Sequence, residues 1–177
     1  MSDSILSRDF DSLEVGQRMT SPARTIAEAD LVSFSALTGD HHPQHTDAVW
    51  AARGPFGERI AHGMLVLSYS LGLLPIDPEQ VIALRGIRNV VFKRPVAIGT
   101  TINVEAEVAS LKPLNEDHGL VELTLKIRDA EGRLVTRAVL EALWRREPAL
   151  TPERGNGAGA LSADGALSPL ADGRLLF

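Results

Sequence analysis

The sequence predicts an α+β domain in which a curved antiparallel β-sheet wraps around a long central α-helix. Two observations predict it. The segment "GERIAHGMLVLSYSLGLLP" (57–75) is apolar on nearly every side after His62, and a helix of that kind is wrapped by other structure instead of lying on a surface. From residue 85 onward the pattern has period two. Ile102, Val104, Ala106 and Val108 alternate with Thr101, Asn103, Glu105 and Glu107, and Val121, Leu123, Leu125 and Ile127 alternate with Glu122, Thr124, Lys126 and Arg128. Such alternation marks strands with one buried and one polar face. A buried helix followed by a run of strands gives α+β, not a βαβ repeat.

The elements follow in order. "TIAEADLVSFSALTGD" (25–40) reads as a helix, with Ile26, Ala29, Val32, Ala36 and Leu37 at roughly helical spacing. Thr25 and Glu28 make a capping-box pattern at its start, and Gly39 is placed to end it in a left-handed conformation. A second short helix is expected from Thr46 or Asp47 through "AVWAAR" to Gly54-Pro55. After the apolar helix, "RGIRNVVFKRP" (85–95) and "RLVTRAVLEALWRR" (133–146) complete four long strand candidates, with "DAEG" (129–132) as a hairpin turn. Residues 1–147 make the folded domain. The rest, 148–177, is a Gly/Ala/Pro-rich tail with no sustained period, ending in the apolar Leu175, Leu176 and Phe177.

Composition narrows the function classes. The chain has 177 residues, 44% hydrophobic and 23% charged, which suits one globular domain with a real core. A net charge of -5 argues against nucleic acid or an anionic membrane as the main partner, because both attract clustered positive charge. There is no cysteine, which excludes disulfides, thiolate metal sites and a cysteine nucleophile. The N-terminus lacks the basic-then-apolar pattern of a secretory signal and the longest apolar run is too short to span a bilayer, so a cytoplasmic protein is expected.

The chemistry concentrates in "LTGDHHPQHTDA" (37–48), which holds three histidines and two aspartates. Asp40, His41, His42, His45 and Asp47 offer the right atoms for a metal. Pro43 falls between the histidines and Gly39 has just ended a helix, so an argument from helical spacing fails. A solvated turn accounts for Gly-Asp and His-Pro equally well. A third reading uses the bracketing of a short, proline-stiffened loop between two helices. Such a loop can aim Asp40 and His45 at one water, and a carboxylate and an imidazole sharing a water can take one proton and deliver another.

"TGDHHPQHTDA", then "FGERIAHGML", then "VVFKRPVAIGTTINVEAEV" together resemble the MaoC-like dehydratase family, also called hydratase 2 or R-specific enoyl-CoA hydratases. The resemblance covers about residues 10–147 and implies a hot-dog fold working as a homodimer or higher oligomer. It implies reversible hydration of a trans-2-enoyl thioester, usually a CoA ester, to an (R)-3-hydroxyacyl product, with no metal or redox cofactor. Carried onto this chain, Asp40 and His45 hold the catalytic water and the Gly63 N–H binds the thioester carbonyl. A helix N-terminus offers unpaired N–H groups and partial positive charge, which suits the last role. The family's loop asparagine is His42 here, whose imidazole can donate a similar hydrogen bond, and Arg94 is a candidate for coenzyme A phosphates. His62 reads as a structural histidine. The serine that some members use to support the aspartate falls near Leu71, with Ser68 and Ser70 close by. Two alternatives stay open. A hot-dog thioesterase would normally carry a carboxylate on the central helix, and 61–74 holds none. A non-catalytic partner subunit would usually lack the acid–base pair.

Overall fold

The computed structural model describes residues 4–146, so the expected tail at 148–177 lies outside the described residues. Two short strands, β1 (Arg18–Thr20) and β2 (Arg24–Thr25), precede the helices α1 (Glu28–Thr38), α2 (Pro43–Thr46), α3 (Ala48–Ala51) and α4 (Gly63–Leu73). Four long strands follow: β3 (Val81–Phe92), β4 (Thr101–Pro113), β5 (His118–Asp129) and β6 (Leu134–Arg145). The sheet has the order β1-β4-β5-β6-β3 with β2 also on β4, and its ladders are antiparallel.

Period two does what it predicts. Register sets Val104 opposite Ile127, Ala106 opposite Leu125 and Val108 opposite Leu123. These side chains fill the core while their polar neighbours face outward. The 129–132 turn forms as expected: Gly132 takes φ +77°, its N–H donates to the Asp129 carbonyl at 2.9 Å, and β6 begins at Leu134. The two short strands on β4 were not legible, because segments of three and two residues carry no period.

The helix ends are partly as read. Gly39 closes α1 with φ +77°, and Asp47 caps α3 by accepting the N–H groups of Val49 and Trp50, both at 2.9 Å. The start of α1 differs. Asp30 Oδ2 accepts the Ala27 N–H at 2.7 Å, whereas Thr25 lies in β2 with its hydroxyl 2.7 Å from that of Thr101. The proline in the polar loop also does more than stiffen it. Pro43 opens the one-turn helix α2, a position where its missing N–H costs nothing.

Two parts of the expected fold are corrected. The architecture is α+β and hot-dog-like, but among the described residues there is no single long central helix and the sheet is not strongly curled. The apolar segment gives only an 11-residue helix, the same length as α1. Leu74 leaves helical geometry at ψ 128° because a residue before proline is steered to extended backbone, and Pro75 follows it. At the other end Ile60 makes a bridge to Ala97, which keeps the approach to the helix extended. Leu65, Val66, Leu67 and Ser70 are buried, but Met64 is 55% exposed and Ser68 and Gly72 lie on the same open stripe. The helix therefore lies against the sheet without being enclosed by it. Among the described residues, no helix is long and apolar enough to cross a membrane.

The N-terminal segment is fastened to the sheet. Trp144 Nε1 donates to the Arg8 carbonyl at 2.8 Å, and the ring of Phe10 packs on β5 so closely that a Cβ on Gly119 would lie 2.3–2.6 Å from it. Gly119→Ala must displace Phe10, and overpacking of this kind costs about 1–3 kcal/mol. Urea unfolding should show that loss; a change below about 0.5 kcal/mol, the range typical of neutral surface substitutions, would mean that Phe10 moves aside freely.

Candidate active site

A cleft of about 510 Å³ opens where the end of α1, the α2 turn, the start of α4 and the end of β3 meet. Phe34, Phe56, Ile60, Val66, Phe92 and Val96 supply apolar walls, and Asp40, His45, His62 and Arg94 supply polar groups. An apolar cleft with few convergent polar groups is the usual form of a small-molecule site.

Each polar group is held by local structure. Asp40 follows the glycine that ends α1, and its Oδ1 accepts the His42 N–H at 3.2 Å. That N–H holds the Asp40 carboxyl below the usual carboxylate range, so the group is ionised at neutral pH and can only accept hydrogen bonds. His45 sits in α2, and its Nδ1 lies 2.7 Å from the Ile60 carbonyl. A carbonyl only accepts, so Nδ1 carries a proton, and in the neutral ring Nε2 is the nitrogen that holds the lone pair. The protein has thereby fixed the tautomer that a general base needs.

His62, which reads from sequence as structural, sits directly against both. It is 3% exposed, its ring stacks on that of His45 at 3.8 Å, and its Nε2 lies 3.1 Å from the Asp40 carbonyl and 3.3 Å from Ser35 Oγ. Burial pushes the His62 pKa below the ordinary histidine value, so the ring is neutral at pH 7. Its Nδ1 is buried without a hydrogen-bond partner among the described residues. No sequence signal distinguishes this histidine from a packing residue, because its role depends on the return of 57–62 past the end of α1.

The other expected site residues divide. Gly63 lines the cleft at the N-terminus of α4, and a Cβ there would lie 2.8–2.9 Å from the ring of Phe92. Close packing against Phe92 thus favours the glycine at this position. Arg94 lines the cleft with Nη1 donating to the Leu134 carbonyl at 2.7 Å. His42 is not among the cleft-lining residues. It is the N-cap of α2, with Nδ1 accepting the Gln44 N–H at 3.2 Å and its ring edge-on to Trp50. Ser68 and Ser70 donate to the carbonyls of Met64 and Val66 in their own helix, and neither lines the cleft that holds Asp40.

Asp40, His45 and His62 each offer a ligand atom within 4.8 Å of the others, the one such trio among the described residues. Imidazole ligates through lone pairs in the ring plane. Two rings stacked at 3.8 Å with only 28° between their planes do not converge on one ion. The arrangement suits a carboxylate and an imidazole that hydrogen-bond to one small polar molecule better than shared coordination.

Residues 11–129 match the model of the MaoC like domain, and the chain belongs to that family. It is 41% identical over 96 residues to protein MaoC of Klebsiella aerogenes, covering 54% of this chain and 29% of that protein. It is 38% identical over 107 residues to a 3-hydroxybutyryl-CoA dehydratase of Methylorubrum extorquens, covering 59% of this chain and 66% of that one. The chain thus spans under a third of the first relative and just under two thirds of the second. The solved R-hydratase PhaJ1 of Pseudomonas aeruginosa, without ligand, is 34% identical with a TM-score of 0.66, over 78% of this chain and 86% of that one.

Burial of neutral His62 has a consequence for stability. The unfolded chain takes up a proton at this ring near pH 6.5, while the folded chain resists it to lower pH. Stability present above pH 6.5 is therefore lost as pH falls toward the folded value. Denaturation midpoints measured from pH 7 down to pH 5 should fall less steeply in His62→Phe than in the parent chain. Equal slopes would contradict a neutral, buried His62.

Proposed function

We propose that the protein is a hydro-lyase that reversibly adds water to a trans-2-enoyl thioester, with a coenzyme A ester as the expected substrate. The observation that carries this reading is the pairing of two unlike groups. A carboxylate held ionised and an imidazole whose Nδ1 is tied to a backbone carbonyl meet in one apolar cleft, next to a helix N-terminus. The names of the relatives, a 3-hydroxybutyryl-CoA dehydratase and an R-hydratase, support the same chemistry.

In this reading Asp40 accepts a hydrogen bond from the water and orients it. His45 Nε2 takes a proton as the water oxygen bonds to C3 of the enoyl group. The electron pair of the C2–C3 double bond moves toward the thioester carbonyl, whose oxygen gains negative charge. The Gly63 N–H at the start of α4 stabilises that oxygen, where the helix presents unpaired donors and partial positive charge. His45 then returns its proton to C2. Delivery from the side that supplied the water gives syn addition and, with the substrate bound in one pose, an (R)-3-hydroxyacyl product. His42 holds the loop from which Asp40 projects, and Arg94 offers charge for a phosphate at the cleft mouth. The thioesterase alternative gains nothing here, since α4 carries no carboxylate.

We further propose a homodimer. Among the described residues β3 ends the sheet order with no strand on its outer side, and Ile82, Leu84 and Phe92 on it are exposed. Edge strands of this kind need covering, and a second copy supplies a matching edge. Light scattering at micromolar concentration should show a dimer; a fully active monomer would contradict this.

The test of the reaction is loss of conjugated-enoyl absorbance with crotonyl-CoA and with longer or branched enoyl-CoAs. Asp40→Asn and His45→Gln should each lower turnover by roughly two to four orders of magnitude, the range for a positioned acid or base. If the parent chain hydrates an ester and neither variant is impaired even tenfold, the assignment fails. Release of free thiol from a saturated acyl-CoA would favour the thioesterase instead.

A further inference from the structure

His62 touches both halves of the proposed pair, but through different parts of its ring. Its face lies on the His45 ring at 3.8 Å, with 28° between the planes. Its edge reaches the Asp40 main chain, where Nε2 lies 3.1 Å from a carbonyl that can only accept. That contact fixes the proton on Nε2. Ser35 Oγ, 3.3 Å from the same nitrogen and buried in α1, marks where the edge of the ring meets the first helix. The ring of Phe34 tilts against the imidazole at 5.0 Å. His62 is thus surrounded by α1, the loop after it and α2, while its own backbone leads directly into Gly63 and α4.

We infer that His62 is the positioning residue of the site: one buried imidazole sets the distance between the Asp40 carboxylate and the His45 ring, and holds both against the start of α4. The inference rests on the proposed acid–base pair for its catalytic consequence, but its structural content does not. The two functions of the ring are separable. The stack needs a flat ring and no proton. The tie to Asp40 needs one N–H donor and no ring. Nδ1 makes no hydrogen bond to any described residue, so neither function uses it.

Three substitutions separate the functions. His62→Phe keeps a ring face for His45 and removes the donor. His62→Gln keeps an amide N–H within reach of the Asp40 carbonyl and removes the face. His62→Ala removes both. Misplacement of a reacting group by about 1 Å costs about a hundredfold in rate. His62→Ala should therefore lower kcat about a hundredfold, and the Phe and Gln variants about tenfold each, with KM within about threefold of the parent. A residue that only fills space would be rescued by Phe alone and would leave Gln no better than Ala.

A second readout needs no substrate. In proton–nitrogen spectra of the imidazole rings, the His45 Nδ1–H bonded to Ile60 should give a slowly exchanging signal in the parent chain. That signal should survive in His62→Phe and broaden in His62→Ala. If the parent chain hydrates no enoyl thioester, the hydro-lyase reading falls while this spectrum still tests His62. A folded His62→Ala with parental kcat, or with an unchanged His45 signal, would overturn the inference.

Discussion

At Gly63 the helix and sheet approach so closely that the ring of Phe92 occupies the space a side chain would need. That contact pins the first turn of α4 to the end of β3, and the rest of the site is arranged around it. The residue before it, His62, is carried into the interior between α1 and α2. The two residues before that, Ile60 and Ala61, face neighbouring backbone. Ile60 offers its carbonyl to His45, and the Ala61 N–H donates to the Val96 carbonyl at 2.7 Å. The glycine–aromatic approach fixes the entry to the helix, and the residues just before it supply the carbonyl that meets His45 and the imidazole buried beside it. Close-packed interiors transmit such constraints because side chains have little room to relax.

The chemistry follows from how differently the two members of the pair are held. Asp40 is exposed at the end of a helix and kept ionised by a backbone N–H. His45 is held through one nitrogen by a carbonyl. Neither arrangement needs a net charge on the domain or a metal ion. Both need the polar loop to be rigid, and α2 supplies that rigidity, with Pro43 at its first position and His42 as its cap.

Much of this was legible in the sequence, for physical reasons that can be named. Alternation along 101–108 and 121–128 reads directly as buried and exposed faces, because a strand's side chains alternate by construction. Gly39 and Asp47 read correctly because a helix stop and an N-cap are set by their own backbone neighbours. The tight bracketing of their loop suggested that Asp40 and His45 share one space, and both line one cleft. What was not legible depended on contacts distant in sequence. Continuous apolarity after His62 suggested a long wrapped helix, but Pro75 ends it and the stripe of Met64, Ser68 and Gly72 faces outward. Thr25 resembled a cap residue, yet pairing with β4 draws it into a strand. His42 reads as a hydrogen-bonding group of the loop, but that its Nδ1 accepts the Gln44 N–H and caps α2 follows from the turn at Pro43. The position of His62 between His45 and Asp40 depends on how residues 57–62 return across α1, which local sequence does not encode.

The central claim is that Asp40 and His45 act together on a single water. A double-mutant cycle in enoyl-CoA hydration tests it most directly, using the parent chain, Asp40→Asn, His45→Gln and the double variant under single-turnover conditions. Groups that act as a unit are strongly non-additive, so the double variant should be no more than about tenfold slower than the worse single variant. If the two losses multiply in full, the groups act independently and the account of one shared water is wrong.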